Sequence, residues 1–206
     1  MGKVCWTSST STQLKRKYEQ MFSCTLTKEF QTDNGRTLRV YDDVFDLQYR
    51  YAVMAFAQTS LFRIGWADNL TPEKSQYQSL HSAYSAEDIE RLGVLERLAN
   101  TPVAQEMVGH KVEKCILNLS TASDANFIHA HPEDKVLLYY VNLEWHDGWH
   151  GETLFYDEAG KDVVFANAYT PNRLVAFDAK IPHTIRPQSH LAPQYRLTLA
   201  VILNKC

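Results

Sequence analysis

Three histidines are the residues whose type and spacing best suit metal chemistry. His129 and His131 are separated by one residue, and His183 follows much later. On a β-strand, residues i and i+2 point to the same face, so the imidazoles of His129 and His131 would project into one space. Two ligands of one metal ion need that local geometry. The alternative is a pair of exposed or hydrogen-bonded histidines at a strand end.

Arg196 is the charged residue most unusual for its surroundings. It precedes an apolar run, in a segment that reads as the last strand of the chain. One interpretation places it at an exposed strand end. The other is an inward-facing guanidinium that binds a carboxylate, because the planar fork of arginine gives two parallel hydrogen bonds that lysine cannot make.

The elements that would position these residues are short β-strands. After residue 112, runs rich in β-branched and aromatic residues alternate with turn residues. The predicted strands are Val112–Leu119, Asn126–His131, Val136–Asn142, Glu152–Tyr156, Val163–Phe165, Arg173–Phe177, Pro182–Arg186 and Tyr195–Leu203. Eight strands suit a jelly roll or a related barrel. The run from Val136 to Val141 lacks polar alternation, which predicts a strand buried on both faces.

Before residue 112, helical periodicity dominates. The apolar positions after a Ser/Thr cap predict a first amphipathic helix, and Asp46 and Ser85 would cap two more. Thr101-Pro102 would begin another helix, with Gly109 as its end. The residues of the first helix are Leu14, Tyr18, Met21 and Phe22. One strand, Thr37–Tyr41, is predicted between the first two helices.

The sequence therefore predicts one domain over residues 1–206, mainly β with α. A mainly helical support region, 1–111, would pack on a double-stranded β-helix (jelly-roll) core, 112–206. The chain carries 21 Lys and Arg against 24 Asp and Glu, a formal charge of −3, so binding of nucleic acid through bulk charge is not expected. No apolar run approaches the roughly 20 residues of a membrane span, and no signal-like leader opens the chain. Four scattered cysteines suggest reduced thiols and a cytoplasmic protein.

Taken in order, several segments resemble the iron(II)/2-oxoglutarate-dependent oxygenases of the prolyl-4-hydroxylase-like branch. Asp124 precedes His129 as in the approach to that family's metal motif, and residues 137–142 are similar to its LYYLN strand. Residues 149–155 are similar to WGGETLF, and residues 171–177 to PGRLVLF. His183 matches the distal histidine, and Arg196 matches the arginine that follows it.

The resemblance implies a facial triad of two histidines and one carboxylate, written HxD…H, and this chain departs from it. With His129 as the first ligand, His131 stands where the family has aspartate. An alternative register, from His131 to Glu133, restores a carboxylate. We favour His129, His131 and His183, with Glu133 or Asp134 as the alternative carboxylate ligand.

The resemblance also implies Fe(II), 2-oxoglutarate as cosubstrate and O2. Arg196 would bind the far carboxylate of 2-oxoglutarate, supported by the Tyr140 hydroxyl, and Thr198 would line the same pocket. The implied reaction is hydroxylation of a small molecule or peptide, including a prolyl or amino-acid group, with release of succinate and CO2.

Two other functional classes remain open at the level of sequence. One is a three-histidine, cupin-like metal dioxygenase that does not use 2-oxoglutarate. The other is a non-catalytic β-sandwich binding module. A further histidine pair, His146 and His150, has the i, i+4 spacing of a helical metal motif, but Gly148 interrupts it, so we favour a solvent-facing loop there.

Overall fold

Residues 24–67 and 71–206 are described by the structure, which is a computed structural model. The amphipathic helix predicted from Leu14 to Phe22 lies outside these residues. The described chain contains eleven strands. They are β1 Thr25–Gln31, β2 Thr37–Asp42, β3 Arg63–Trp66, β4 Ser79–Tyr84, β5 His110–Ser120, β6 Lys135–Tyr140, β7 Thr153–Tyr156, β8 Val163–Asn167, β9 Leu174–Asp178, β10 His183–Ile185 and β11 Arg196–Lys205.

The strands form two antiparallel sheets. The main sheet has eight strands in the order β1-β2-β9-β6-β11-β5-β4-β3, and the minor sheet has three in the order β10-β7-β8. The two strands in the middle of the main sheet, β6 and β11, are buried along almost their whole length. The structure is therefore mainly β with a few helices, in the jelly-roll arrangement that the sequence predicts.

The main sheet separates two apolar cores, as the unbroken apolar run of β6 predicts. Leu137, Tyr139 and Val141 pack into the core on the helical side. Val136, Leu138 and Tyr140 pack into the core between the sheets. Because successive strand residues face opposite sides, a strand enclosed on both sides must be apolar at every position. Successive residues of β11 likewise alternate between the two cores. Arg196 and Thr198 lie on the side of β11 that faces the minor sheet.

The described part of the first half contains four helices: α1 Leu47–Thr59, α2 Ala86–Leu92, α3 Val94–Ala99 and α4 Ala104–Met107. As predicted, Asp46 caps α1 and Ser85 caps α2, the latter through a capping box with Asp88. Gly93, whose φ of 74° lies in the left-handed region, ends α2 and begins α3. The helix predicted after Pro102 is only one turn long.

The first half also contributes more strand than its periodicity indicates. Besides β2, which was predicted as Thr37–Tyr41, the strands β1, β3 and β4 all join the main sheet. β1 and β3 are the edge strands, and their residues are largely exposed on both faces. A strand with two solvated faces carries no apolar alternation, so the sequence gives no sign of it.

An ion pair joins the two halves of the chain. Arg173, just before β9, donates from Nε and Nη2 to the two carboxylate oxygens of Asp42 at 2.6 and 2.9 Å. Its neighbour Asn172 has a φ of 64°, in the left-handed region, where the PGRLVLF motif has glycine. The Asn172 side chain exchanges hydrogen bonds with the backbone of Phe45, which fixes the segment that leads into α1.

Within the described residues, no helix is long and apolar enough to cross a membrane. Cys24 and Cys115 are buried free thiols, and Cys206 is an exposed one.

Candidate metal centre

Backbone hydrogen bonds hold two histidines side by side. The His129 N–H donates to the His183 carbonyl at 3.0 Å, and the His183 N–H donates to the His129 carbonyl at 2.9 Å. The strand predicted over Asn126–His131 is thus reduced to one bridge at His129, which extends the minor sheet beyond β10. Past His131 the strand pairing cannot continue, because Pro132 has no N–H to donate.

The side chains of His129, His131 and His183 converge. Their ring centroids are 4.5 to 5.1 Å apart. One ring nitrogen from each lies within 4.8 Å of the others. Among residues 24–67 and 71–206, no aspartate, glutamate or cysteine belongs to this cluster. The three-histidine set is thus the one that the described chain brings together.

Hydrogen bonds from Nδ1 leave the Nε2 atoms of two of the histidines available as metal ligands. Nδ1 of His129 lies 3.0 Å from the Phe127 carbonyl, and Nδ1 of His183 lies 2.9 Å from the Ile181 carbonyl. A carbonyl only accepts, so each Nδ1 carries the proton and each Nε2 keeps its lone pair. Burial and the neighbouring His129 ring lower the pKa of His131 to about 4, and the same causes hold the pKa of His183 well below its usual range. Neutral imidazoles are the form that binds metals.

The alternative carboxylates have other partners. Glu133 Oε1 is 2.7 Å from the Lys114 ammonium. Asp134 accepts a hydrogen bond from the Lys205 backbone at 2.8 Å. Asp124 does not reach the cluster either, because its carboxylate accepts hydrogen bonds from the N–H and hydroxyl of Thr121. The geometry therefore favours the His129, His131 and His183 set over a register that uses Glu133.

Arg196 is fully buried at the start of β11. Its Nε donates to the Gly151 carbonyl at 2.8 Å, and its Nη2 donates to the Thr153 hydroxyl at 3.2 Å. Nη1 is buried, and within residues 24–67 and 71–206 it has neither a hydrogen-bond partner nor a carboxylate within salt-bridge distance of the guanidinium. The exposed strand-end interpretation is thus wrong, and a buried cation with an unsatisfied donor remains.

Aromatic rings line the guanidinium. Its carbon lies 4.8 Å from the Tyr169 ring centroid and 5.5 Å from that of Tyr140, and the two rings are stacked 4.5 Å apart. The Tyr140 hydroxyl is 2.7 Å from the Thr153 hydroxyl and also accepts a hydrogen bond from Asn167 at 2.9 Å. Burial lowers the pKa of Arg196, while the two tyrosines and the more distant Glu152 carboxylate raise it. These faces partly replace the water that burial removes.

A cavity between the two sheets connects the histidines with this region. Thr153 and Thr198 line it together with the three histidines, and Arg196 lies directly behind Thr153. The structure therefore places four of the predicted residues, His129, His131, His183 and Thr198, in the wall of one cavity. Arg196 and the Tyr140 hydroxyl contact this cavity only through Thr153.

Sequence reasoning missed several residues of this site. Thr153 and Gly151 belong to the segment that resembles WGGETLF, so that motif carried the signal for them. Asn167 and Tyr169 precede the segment that resembles PGRLVLF, and no spacing rule singled them out.

His146 and His150 are separate from the centre. They lie in the loop around a short 3-10 turn, Asp147–Trp149, and the His146 ring packs 5.0 Å from the Trp149 ring. Neither belongs to the metal-type cluster found among the described residues. The expectation of a loop here is confirmed.

Two packed antiparallel sheets with paired histidines at one end define the class as a double-stranded β-helix protein. No protein-family sequence model matches the chain, and no curated protein matches it in sequence. Solved structures do match in fold. A prolyl-4-hydroxylase from Pseudomonas putida aligns over 82% of this chain and 92% of its own, with TM-score 0.51 and 11% identity.

Two further structures give the same result. An oxidoreductase of the 2OG-Fe(II) oxygenase family from Burkholderia pseudomallei aligns over 79% of this chain and 82% of its own, with TM-score 0.56 and 12% identity. The non-heme α-ketoglutarate-dependent epimerase SnoN, from nogalamycin biosynthesis, aligns over 82% and 78%, with TM-score 0.58 and 10% identity. The chain thus has the fold of prolyl-4-hydroxylases and 2-oxoglutarate-iron(II) oxygenases, and the predicted fold class is confirmed.

Proposed function

We propose that this protein is an Fe(II)- and 2-oxoglutarate-dependent oxygenase that hydroxylates a small molecule or peptide. The observation that carries the proposal is the buried Arg196, whose Nη1 has no hydrogen-bond partner among the described residues, beside a cavity lined by three histidines. A buried cation without an anion is costly, so the site suits a ligand with a carboxylate at one end.

His129, His131 and His183 would hold the metal. Imidazole is a suitable ligand for iron, and three protein ligands leave coordination positions for other molecules. Three neutral imidazoles leave the +2 charge of the metal uncompensated, which favours an anionic ligand beside it. When bound, iron(II) with 2-oxoglutarate and O2 would supply the oxidising chemistry, with succinate and CO2 as coproducts.

The remaining residues would bind and orient the cosubstrate. Arg196 would pair with the far carboxylate of 2-oxoglutarate, and Thr153 and Thr198 would line the path between that carboxylate and the histidines. The Tyr140 hydroxyl would fix the orientation of Thr153 through their contact at 2.7 Å. The buried apolar residues around them, such as Phe155 and Phe177, exclude water from the cavity.

The substrate and the outcome of the reaction are proposals by analogy with proteins of the same fold. Four of the matched structures are named as prolyl hydroxylases and one as an epimerase. One fold hosts several reactions, so hydroxylation of a prolyl or other amino-acid group is the outcome to test first. One domain over residues 1–206 and a cytoplasmic location stay predictions.

Anaerobic titration tests the proposal. The protein is loaded with Fe(II) under argon and titrated with 2-oxoglutarate, while the visible absorption is followed for the weak charge-transfer band of chelation. We expect a saturable band and, after air is admitted, release of succinate. Metal binding without any effect of 2-oxoglutarate would instead support the three-histidine dioxygenase, which the cluster without a described carboxylate also suits. Failure to bind metal would support the binding module.

A further inference from the structure

Asn126 lies in the wall of the same cavity. It precedes His129 by three residues, in the loop between β5 and β6. It contributes to the cavity wall together with Ser79, Asn118 and Ser120. No Asp, Glu, Lys or Arg is among the described residues that line this space, so it is polar there without being charged.

The Asn126 side-chain nitrogen, Nδ2, is buried and makes no hydrogen bond to any described residue. Native structures satisfy the large majority of buried side-chain polar atoms, so an exception in a cavity wall indicates a missing acceptor. Arg196 Nη1 is the second unsatisfied donor of this region. The cavity thus has one unsatisfied donor in its own wall and another directly behind Thr153.

We propose that Asn126 is a binding residue for the carboxylate-keto end of 2-oxoglutarate, the end that would lie beside the histidines. This inference rests on the proposed function. Nδ2 would donate a hydrogen bond to an oxygen of that end, while Arg196 binds the opposite carboxylate. A neutral donor suits this position. The metal would already supply the positive charge that attracts this end of 2-oxoglutarate, so the hydrogen bond from Asn126 would only have to orient it.

Fragments of the cosubstrate separate the two contacts. Oxalate reproduces the carboxylate-keto end alone, succinate carries the far carboxylate without the keto group, and N-oxalylglycine carries both ends. Each is titrated calorimetrically into protein loaded with Mn(II), so that binding is measured without turnover. Asn126→Leu removes the donor at similar volume, and Arg196→Lys removes the fork.

We expect Asn126→Leu to weaken oxalate and N-oxalylglycine by about fivefold to tenfold, the size of one neutral hydrogen bond, with succinate unchanged. Arg196→Lys should show the reverse selectivity, weakening succinate and sparing oxalate. Asn126→Asp should weaken oxalate more than Asn126→Leu does, because it replaces a donor by an anion. Asn100→Leu is the control for the same substitution outside the cavity, since Asn100 is exposed and does not line this space.

The outcomes discriminate between the proposed function and the role of Asn126. Wild-type protein that binds Mn(II) but not N-oxalylglycine contradicts the proposed function itself. If wild-type protein binds N-oxalylglycine and Asn126→Leu binds oxalate with the same affinity as wild type, only the role of Asn126 is contradicted. Equal losses for oxalate and succinate also overturn that role, since they indicate a general change of the cavity. If Asn126→Leu fails to fold, as judged by its thermal transition, Asn126→Ser takes its place.

Discussion

The backbones of His129 and His183 are hydrogen-bonded to each other in both directions, at 3.0 and 2.9 Å. Main-chain hydrogen bonds therefore fix the separation of two of the three candidate ligands. Only the side-chain rotamers of these two histidines remain to be set. A metal site built this way is preorganised, because the backbone bears the cost of bringing distant residues together. Removal of the metal should then leave the fold in place.

Loss of a histidine should remove the metal. His129→Ala and His183→Ala each leave two of three ligands, which should abolish stoichiometric Fe(II) binding. The exposed His190 provides the matched control, and His190→Ala should bind metal as wild type does. Metal content after anaerobic loading and desalting is the measurement, with circular dichroism to verify the fold. Wild-type stoichiometry in either variant would exclude that residue as a ligand.

The identity of the second ligand can be tested separately. Glu133→Gln should retain the metal, because the carboxylate of Glu133 is paired with Lys114 at 2.7 Å and lies outside the cluster. His131→Asp should bind metal at least as well as wild type, since it restores the two-histidine, one-carboxylate set. The same metal analysis applies to both variants. A metal-free Glu133→Gln variant would establish the alternative register, from His131 to Glu133.

Arg196 should control affinity for 2-oxoglutarate and not for metal. Truncation to alanine leaves a buried carboxylate unpaired, at a cost of roughly 3–5 kcal/mol, or a 10²–10³-fold weaker binding. Arg196→Lys should recover part of this loss, because the charge returns without the fork. The charge-transfer titration of Fe(II)-loaded protein measures both variants. If Arg196→Ala bound 2-oxoglutarate with the same titration curve as wild type, the assignment of 2-oxoglutarate as cosubstrate would be contradicted.

Gly151 should be required for the position of Arg196. A Cβ at Gly151 would lie 3.1 Å from Arg196 Cδ, and its φ of 86° is strained for any other residue. Gly151→Ala should therefore weaken 2-oxoglutarate binding while metal content stays constant. Gly148→Ala, in the same loop, meets no atom within 4 Å and serves as the control. Equal 2-oxoglutarate affinities in the two variants would show that the close approach has no role.

Glu106 should make stability depend on pH. Its buried carboxylate accepts hydrogen bonds from Tyr41 at 2.7 Å, Arg39 at 3.0 Å and Lys135 at 2.7 Å. Burial alone would raise the pKa of Glu106, but these partners, Lys135 first, lower it overall. A carboxyl whose pKa is lower in the folded state stabilises the fold above its unfolded pKa, about 4.3, and loses that contribution as pH falls through the folded pKa.

Glu106→Gln should consequently lower the free energy of unfolding at pH 7 by roughly 3 kcal/mol, since it leaves two cations near a neutral amide. The difference from wild type should shrink below about pH 4.3. Urea denaturation at several pH values measures this. Glu29→Gln, at an exposed partner of Arg39, should change little. A difference that persists unchanged at low pH would contradict the electrostatic origin.

The second half of the fold could be predicted from sequence because its strands are enclosed. Val136 to Val141 had to be apolar throughout, and seven of the eight predicted strands after residue 112 are present. The exposed edge strands β1 and β3 were missed, because packing does not restrict their side chains. The break at Gly93 depends on one backbone angle, which periodicity cannot show.

The candidate site could be predicted only where sequence motifs mark it. Spacing and the family resemblance singled out His129, His131, His183 and Arg196 as candidates. Tyr169 and Asn126 were not, because their importance comes from distant contacts: one with the Arg196 guanidinium across the fold, and one with a cavity formed by both sheets. Such contacts exist only after the chain has folded.

The position of β11 has a consequence for biosynthesis. It is the last of the described strands to leave the ribosome, yet it lies between β5 and β6 in the middle of the main sheet. Until residues 196–205 emerge, a nascent chain presents two unpaired strand edges, those of β5 and of the apolar β6, and Arg196 has not reached its site. Such edges attract other chains. Synthesis of this protein should accordingly require chaperone protection late in translation, and a ribosome stalled a few codons before the codon for Arg196 should yield an aggregation-prone chain.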